Sequence, residues 1–483
     1  MLYGFLIALS IAGTDAAELE FFDLVRAGRF DRVKLAIEKR SYLVHSRNRD
    51  GETALHLVAS AGRLDIVDLL IEDGATLDAK RSDGLDPLLL SLEGRHPAVA
   101  KRLLVAGAPT NARGKERATP LILAARLGFA DVVRSALARG ADVGAVDEQG
   151  QTALHVASDE DVAMALLKYR ANPNLKRSDG WTPLHASAAA GRTEVAKALV
   201  LWRANLDART KEERTALHEA AIHGRTRVVE ALLETGSDRE AKDRFGYTPL
   251  LHASVRGQLE VAKRLLERGA DIDAKTHLGY TPLHGAVEGG KPEVVKFLIE
   301  RGADIDLRAH GGLTPLHQAA LSNRAAAARL LLEASANIRT TTDDGETALE
   351  LAVASGNAAV ARVLERPPAP TMSKDGRSRA REERLSENST ASGDSAAGVA
   401  LYPIDDSVPE PFYVEPRFDR FEETKPPRAE PSEPELPELP SRRRLSSPRR
   451  SPDPVLEPSE DSDLDDESGG SGLGLEFLDE SDL

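Results

Sequence analysis

At 483 residues the chain is long enough for several globular domains, and its net charge of −15 is unevenly placed: after residue 366, 14 Lys and Arg face 28 Asp and Glu, leaving about −1 for everything before. A near-neutral stretch lacks the concentrated basic face that a nucleic-acid backbone requires, so no nucleic-acid partner is expected. With no Cys, disulfides, thiolate metal ligands and cysteine nucleophiles are excluded together.

The chain opens on an apolar segment, residues 1–17. Leu2 to Gly13 has the length of a signal-peptide core, and Thr14-Asp15-Ala16 fits a small-x-small cleavage site, but no Lys or Arg precedes it. It is too short to span a bilayer. Two readings stay open: export with cleavage after Ala16, or the packed N-terminal segment of a cytosolic protein, so localisation is undecided.

From Glu18 to about Ser46, Leu19, Phe22, Leu24 and Val25, then Val33, Leu35, Ala36 and Ile37, predict two short amphipathic helices separated at Gly28. A polar, degenerate first unit is what a repeat array needs as its cap. A Thr-x-Leu-His core then recurs at Thr53, Thr119, Thr152, Thr182, Thr215, Thr248, Thr281, Thr314 and Thr347, with Asp86 in one degenerate copy. The interval is 33 residues, except for 30 between Thr152 and Thr182. Such a fixed period means stacked supersecondary units.

Each unit decodes physically. In the copy at 276–308, the Thr281 hydroxyl can cap the first helix and Pro282 fits its first position, where a missing N–H is harmless. Leu283, Ala286 and Val287 follow at helical spacing, and Gly290 supplies the left-handed stop. Val294, Val295, Leu298 and Ile299 form a second helix that Gly302 ends. An extended Asp-Ile-Asp-Leu leads to the next turn, so a repeat is a projecting turn plus two antiparallel helices.

These motifs, Gly-Tyr-Thr-Pro-Leu-His-Gly-Ala and Glu-Val-Val-Lys-Phe-Leu-Ile-Glu-Arg-Gly-Ala-Asp in this copy, resemble the ankyrin repeat family over residues 18–366. The resemblance implies an all-α solenoid of stacked helix pairs with β-hairpin-like tips and a concave binding face. It comprises a cap at 18–47 and ten repeats beginning near 48, 81, 114, 147, 177, 210, 243, 276, 309 and 342.

Two repeats depart from the pattern. The one at 81 has Asp86 for Thr, Leu89 for His and Arg95 for the stop glycine, which predicts a weaker unit. In the one at 147, Ala157-Ser158 runs straight into Asp159. Losing about one helical turn keeps the buried face in phase but shortens the first helix, predicting a change of curvature or a soft joint. After Glu365 the chain turns Pro-, Ser- and acid-rich without apolar periodicity, so 367–483 reads as a long disordered tail. Ser446 follows three arginines as in a basophilic kinase site, and Ser447 and Ser451 precede Pro, making the three candidate phosphorylation positions. An unmodified, solvated charge run is the alternative.

The histidines His56, His155, His185, His218, His284 and His317 align one per repeat. Stacked helices lie roughly 8–10 Å apart, whereas zinc ligands sit roughly 2 Å from a shared ion, so this ladder cannot converge on one metal. With Thr53, Thr152, Thr182, Thr215, Thr248, Thr281, Thr314 and Thr347 they read as structural, the rings bonding backbone between turns. Gly285 to Pro292 nearly spells a phosphate-binding loop, but Gly285 falls inside a helix and Pro292 replaces the required hydroxyl. No catalytic, metal or cofactor set is found, and the expectation is a non-enzyme.

Recognition has better candidates. The residue before each Thr, expected on the projecting turn and outside the core, runs Glu52, Leu85, Ala118, Gln151, Trp181, Arg214, Tyr247, Tyr280, Leu313 and Glu346. Trp181, Arg214, Tyr247, Tyr280 and Leu313, with Phe245, His277 and Leu278 beside them, are enriched in hot-spot residue types. The expected function is a monomeric scaffold or adaptor holding one or more partner proteins. Its alternatives are an exported effector whose tail makes a second, phosphorylation-controlled contact, and a structural spacer with no partner.

Overall fold

In the computed structural model the described residues are 16–370. The apolar segment up to residue 15, candidate phosphorylation positions Ser446, Ser447 and Ser451, and the tail from 371 onward lie outside them. Among the described residues there are helices and no strands; a single antiparallel bridge joins Thr341 and Thr347. None of these helices is long and apolar enough to cross a membrane.

The helices pair as the period predicts. In the repeat at 276, Pro282–Glu288 is followed by Pro292–Glu300. First helices pack on neighbouring first helices and second helices on second ones, giving two layers with the core between them. One leucine register runs through that core: Leu55, Leu88, Leu121, Leu154, Leu184, Leu217, Leu250, Leu283 and Leu316 are all buried. Burying such a side chain contributes about 1.5–3 kcal/mol, and these leucines belong to one continuous core that no repeat forms alone.

The cap forms Ala16–Arg26 and Phe30–Lys39, then a 3₁₀ turn at Ser41–His45. Phe21, Phe22, Val25, Val33 and Ile37 face the core, whereas Leu19 and Leu35, counted in the apolar pattern, are about half exposed. They lie on the outward side of their helices. Near the other end of the described residues Val353 is exposed.

A cross-repeat clamp that the sequence reading missed ties the first-helix layer. In five repeats the residue after the first-helix stop reaches back to a carbonyl of the preceding repeat: Arg63 Nη2 donates to Gly28 O (3.0 Å), Arg225 Nε to Ala189 O (2.8 Å), Gln258 Nε2 to Ile222 O (3.3 Å), Arg324 Nε to Glu288 O (3.1 Å) and Asn357 Nδ2 to Ala320 O (2.7 Å). These side chains lie directly over the stop. A Cβ on Gly224 (φ +66°) would sit 2.3 Å from Gln258 Oε1, so a larger residue there would take left-handed backbone and push the end of the Gln258 side chain aside.

The repeat at 81 keeps its cap by another route: the Asp86 carboxylate accepts from the Leu89 amide at 2.8 Å. Its second oxygen is buried without a partner, and burial raises the carboxyl's pKa. Leu85, Leu89 and Leu90 form a small apolar cluster of their own.

In the repeat at 147 the first helix shrinks to Ala153–Val156, as the deletion predicted. The Ser158 amide donates to Ala125 O at 3.2 Å in place of a side-chain clamp, and Asp159 caps the next helix by accepting from Val162 N at 3.0 Å. The missing triplet would have carried the acceptor for Arg192. That guanidinium has no hydrogen-bond or ion-pair partner among the described residues, and burial lowers its pKa.

Two measurements test this account. Non-glycine residues occupy several glycine registers in left-handed backbone, among them Arg170 (φ 64°) and Arg203 (φ 63°) at the second-helix stop. Such a residue costs about 1–2 kcal/mol there, so Arg170→Gly and Arg203→Gly should each raise urea stability by roughly 1 kcal/mol, less glycine's greater unfolded entropy. Unchanged or lower midpoints would refute the strain. Amides of residues 153–158 should exchange faster than those of 216–222, the full-length counterpart; equal protection would show that the Ser158 bond restores the joint.

Candidate functional site

Thr and His in each motif lock both sides of the helix start. The Thr281 amide donates to His284 Nδ1 at 3.3 Å, and the His284 amide donates to Thr281 Oγ1 at 3.4 Å. The same pairing joins Thr53 to His56, Thr152 to His155, Thr182 to His185, Thr215 to His218 and Thr314 to His317. A backbone amide can only donate, so Nδ1 accepts and the ring proton sits on Nε2. Nε2–H then donates to the tip of the next repeat: His155 to Trp181 O (3.3 Å), His185 to Arg214 O (3.1 Å), His218 to Tyr247 O (3.0 Å) and His284 to Leu313 O (3.1 Å). With both nitrogens occupied, these four rings have no lone pair left for a metal. His56 and His317 have Nε2 buried with no bond formed.

Two copies depart. Thr347 uses Glu350, whose Oε2 accepts from the Thr347 amide at 2.7 Å. Thr248 is followed by Leu251 at the histidine register, and its hydroxyl accepts from the Leu251 amide at 3.3 Å. The histidine has moved one place on: His252 Nε2 lies 2.9 Å from Asp243 Oδ2, and its ring centroid lies 5.1 Å from that of Tyr247 and 5.7 Å from that of His218. Burial lowers the pKa of His252. Burial works against the Asp243 carboxylate, but bonds from His252 and the Tyr247 and Phe245 amides outweigh it and hold the pKa below its usual value.

The tips are hairpin-like. In the repeat at 276 the Thr276 amide donates to Tyr280 O (2.9 Å) and Gly279 N to Thr276 O (3.0 Å). From the repeat at 177 to that at 309 one backbone bond links each tip to the next: Lys211 N to Asp179 O (2.9 Å), Arg244 N to Glu212 O (3.1 Å), His277 N to Phe245 O (3.2 Å) and His310 N to Leu278 O (2.8 Å). Beneath them runs a second ladder that the sequence reading missed. Arg47, Lys176 and Lys242 donate to the carbonyls of their counterparts one repeat on, Lys80, Arg209 and Lys275. Its signal was present, a basic residue recurring with the repeat at 47, 80, 113, 176, 209, 242, 275 and 308.

The register expected to project freely does not. Leu85 and Ala118 are buried, and Trp181, Arg214, Tyr247, Tyr280 and Leu313 are half-buried. Their side chains fold toward the first helix of their own repeat: Trp181 lies 6.1 Å from the His185 ring under the Arg177 guanidinium (4.6 Å), and Tyr280 lies edge-on to His284 at 5.6 Å. Arg214 reaches Glu219 (3.7 Å) and Asp243 (3.9 Å), both buried. Burial, with Glu288 and Asp243 nearby, pushes the Tyr247 phenol up to about 12. The reason is geometric, since the backbone of this register is the acceptor of the histidine ladder.

The residues beside it project. Phe245 is 53 % exposed and Leu278 50 % exposed, and His277 is exposed between them. The Arg244 guanidinium stacks on Phe245 at 4.7 Å. Two neighbouring tips, at 243 and 276, therefore present an aromatic ring, an aliphatic side chain and an imidazole over the Arg214–Asp243–His252 network.

The family model described as ankyrin repeats, in three copies, matches residues 21–113, 92–177, 159–243, 235–309 and 283–369. Among curated proteins the chain is similar to Rabankyrin-5 of Mus musculus, 30% identical over 150 residues, which is 30% of this chain and 13% of that protein. It is similar to alpha-latrocrustotoxin-Lt1a of Latrodectus tredecimguttatus, 38% identical over 66 residues (14% and 5%). To NF-kappa-B inhibitor cactus of Drosophila melanogaster it is 41% identical over 59 residues, 12% of each. The alignment thus spans about an eighth of the length of Rabankyrin-5 or of cactus.

The ladder makes stability depend on pH. Burial lowers the pKa from 6.5 to about 4 in His155, His185 and His284 and to about 3 in His218. The unfolded chain binds these protons first, so the ladder's contribution is complete above pH about 6.5 and is lost as pH falls toward about 4, up to roughly 3 kcal/mol per ring. The urea midpoint should fall between pH 7 and pH 5, and His185→Gln should flatten that slope. A midpoint independent of pH across this window would contradict the neutral ladder.

Proposed function

The chain belongs to the ankyrin repeat family, and we propose that it is a non-enzymatic scaffold that captures a partner protein on the tips of its central repeats. The observation that carries this reading is the pair Phe245 and Leu278, large apolar side chains about half exposed on adjacent tips. Their backbones are tied by the His277 N to Phe245 O bond of 3.2 Å. Holding the contact surface in place before binding removes the ordering cost that a flexible loop would incur.

Phe245, His277 and Leu278 form the centre of the contact in this reading. Trp181, Arg214, Tyr247, Tyr280 and Leu313 contribute the exposed edges of half-buried side chains and otherwise support the surface. Cactus is by its name an inhibitor of NF-kappa-B; holding another protein is the same kind of action, and no more is carried over from it. A monomer suffices, because the surface lies within one chain.

The division of labour is testable with the full chain used to capture proteins from its native source. Phe245→Ala with Leu278→Ala should reduce recovery of the captured partner at least about tenfold, as expected for losing about 1.4 kcal/mol or more, with the thermal midpoint unchanged. Trp181→Ala and Tyr280→Ala should lower the midpoint as well. Full recovery with the Phe245/Leu278 double variant would sink the tip assignment.

A further inference from the structure

The second-helix layer has a regular charge pattern that fails at one place. Counting the second helix from its first residue, position two is acidic and position five basic in several repeats. The two pair across one turn: Asp131 with Arg134, Glu194 with Lys197 and Glu260 with Lys263. Between repeats, Arg102 pairs with Asp68, Arg264 with Glu230 (2.8 Å) and Arg268 with Glu234 (2.9 Å). The basic side chains of this face are thus largely neutralised on the chain itself.

In the last two repeats the position-five cations remain and the position-two acids are gone. Position two is Ala326 and Ala359, while position five is Arg329 and Arg362. Position nine, Glu in the repeats at 48, 210, 243, 276 and 309, is Arg366 in the last. All three arginines line one groove of about 450 Å³ with Ala325, Ala359 and Pro368. None of them has a hydrogen-bond or ion-pair partner among the described residues. Arg362 lies in the last described helix, Ala358–Glu365, and Arg366 stands just past its end.

We propose that this groove binds a phosphorylated serine or threonine side chain of a partner protein. Charge complementarity selects the occupant. A phosphoryl group carries about −1.5 to −2 charges and three acceptor oxygens at one point, whereas a carboxylate brings one charge and two oxygens. Guanidinium forks match phosphate with paired, charge-assisted hydrogen bonds. The small side chains at 325 and 359 leave the space, and Pro368 and Val363 supply an apolar wall for the flanking peptide. The site lies on the second-helix layer and is independent of the tip surface.

The test is fluorescence anisotropy with the full-length chain and a labelled peptide carrying one phosphoserine among alanines and glycines. The phosphopeptide should bind, its unphosphorylated form should not, and inorganic phosphate should compete. Arg329→Ala, Arg362→Ala and Arg366→Ala should each weaken binding about tenfold or more, and Arg362→Lys, which keeps the charge but loses the fork, should weaken it severalfold. Lys296→Ala, one repeat earlier on the same face, should leave it unchanged. A matched thermal midpoint shows that the variants are folded. No binding, equal binding of the unphosphorylated peptide, tighter binding of a tri-aspartate peptide, or an equal loss with Lys296→Ala would each overturn the proposal.

Discussion

A single imidazole bonded on both sides, to its own repeat and to the next, is the contact on which the rest of the array depends. Nδ1 accepts from the threonine amide that starts its helix, and Nε2–H donates to the tip carbonyl one repeat on, at 3.0 Å from His218 to Tyr247. Hydrophobic burial holds the layers together but is non-directional. The histidine gives the stack direction and spacing, because a helix start and a neighbouring tip must both be correctly placed for one rigid ring to reach them. It also commits the core to a neutral base, and solvent exclusion at His185 and His284 is the reason their pKa values fall.

That contact also decides which tip residues are free. The backbone of the register that includes Trp181, Arg214, Tyr247 and Leu313 is spent as acceptor, which draws those residues against the helices. Projection passes to the turn residues one to three places earlier, where Phe245 and Leu278 stand. The basic ladder at the base of the turns and the single tip-to-tip backbone bonds fix those positions further. Rigidity in the scaffold and exposure at its edge are two results of one hydrogen-bonding scheme.

Most of the architecture was legible in the sequence because a 33-residue period repeats each physical requirement. The Thr cap, the proline at the first helical position and the left-handed stop are local rules that need no knowledge of the neighbours. The shortened helix at Ala153–Val156 was likewise readable from a count of missing residues. What escaped, beyond the imidazole bonds between turns, was side-chain contact between repeats. The clamp from Arg225 to Ala189 and the bond from Lys176 to Arg209 join residues more than thirty places apart, and a side chain's direction there depends on how the units stack. The same limit hid the burial of Leu85 and Ala118, which share a sequence register with the half-exposed Tyr280.

Departures from the repeat fall where the array is structurally least uniform. At 243 the histidine shifts by one place, so the carbonyl of Tyr280 is left without an imidazole donor. His252 instead joins Asp243, Arg214 and Tyr247 in a network. At 147 a deleted turn leaves Arg192 unpaired among the described residues. At 326 and 359 lost acids leave arginines without partners among the described residues. Each change gives up a local interaction that the other repeats keep, and a sequence whose levels otherwise agree tends to break its own rules at functional or strained sites. The histidine shift has both kinds of consequence: it removes one rung of the ladder directly behind the Tyr280 tip, and it places a polar, partly exposed network beneath the most exposed apolar pair of tip residues. A partner that seats on Phe245 and Leu278 would therefore meet a charged floor in addition to an apolar rim, and the uniform repeats on either side would offer it neither.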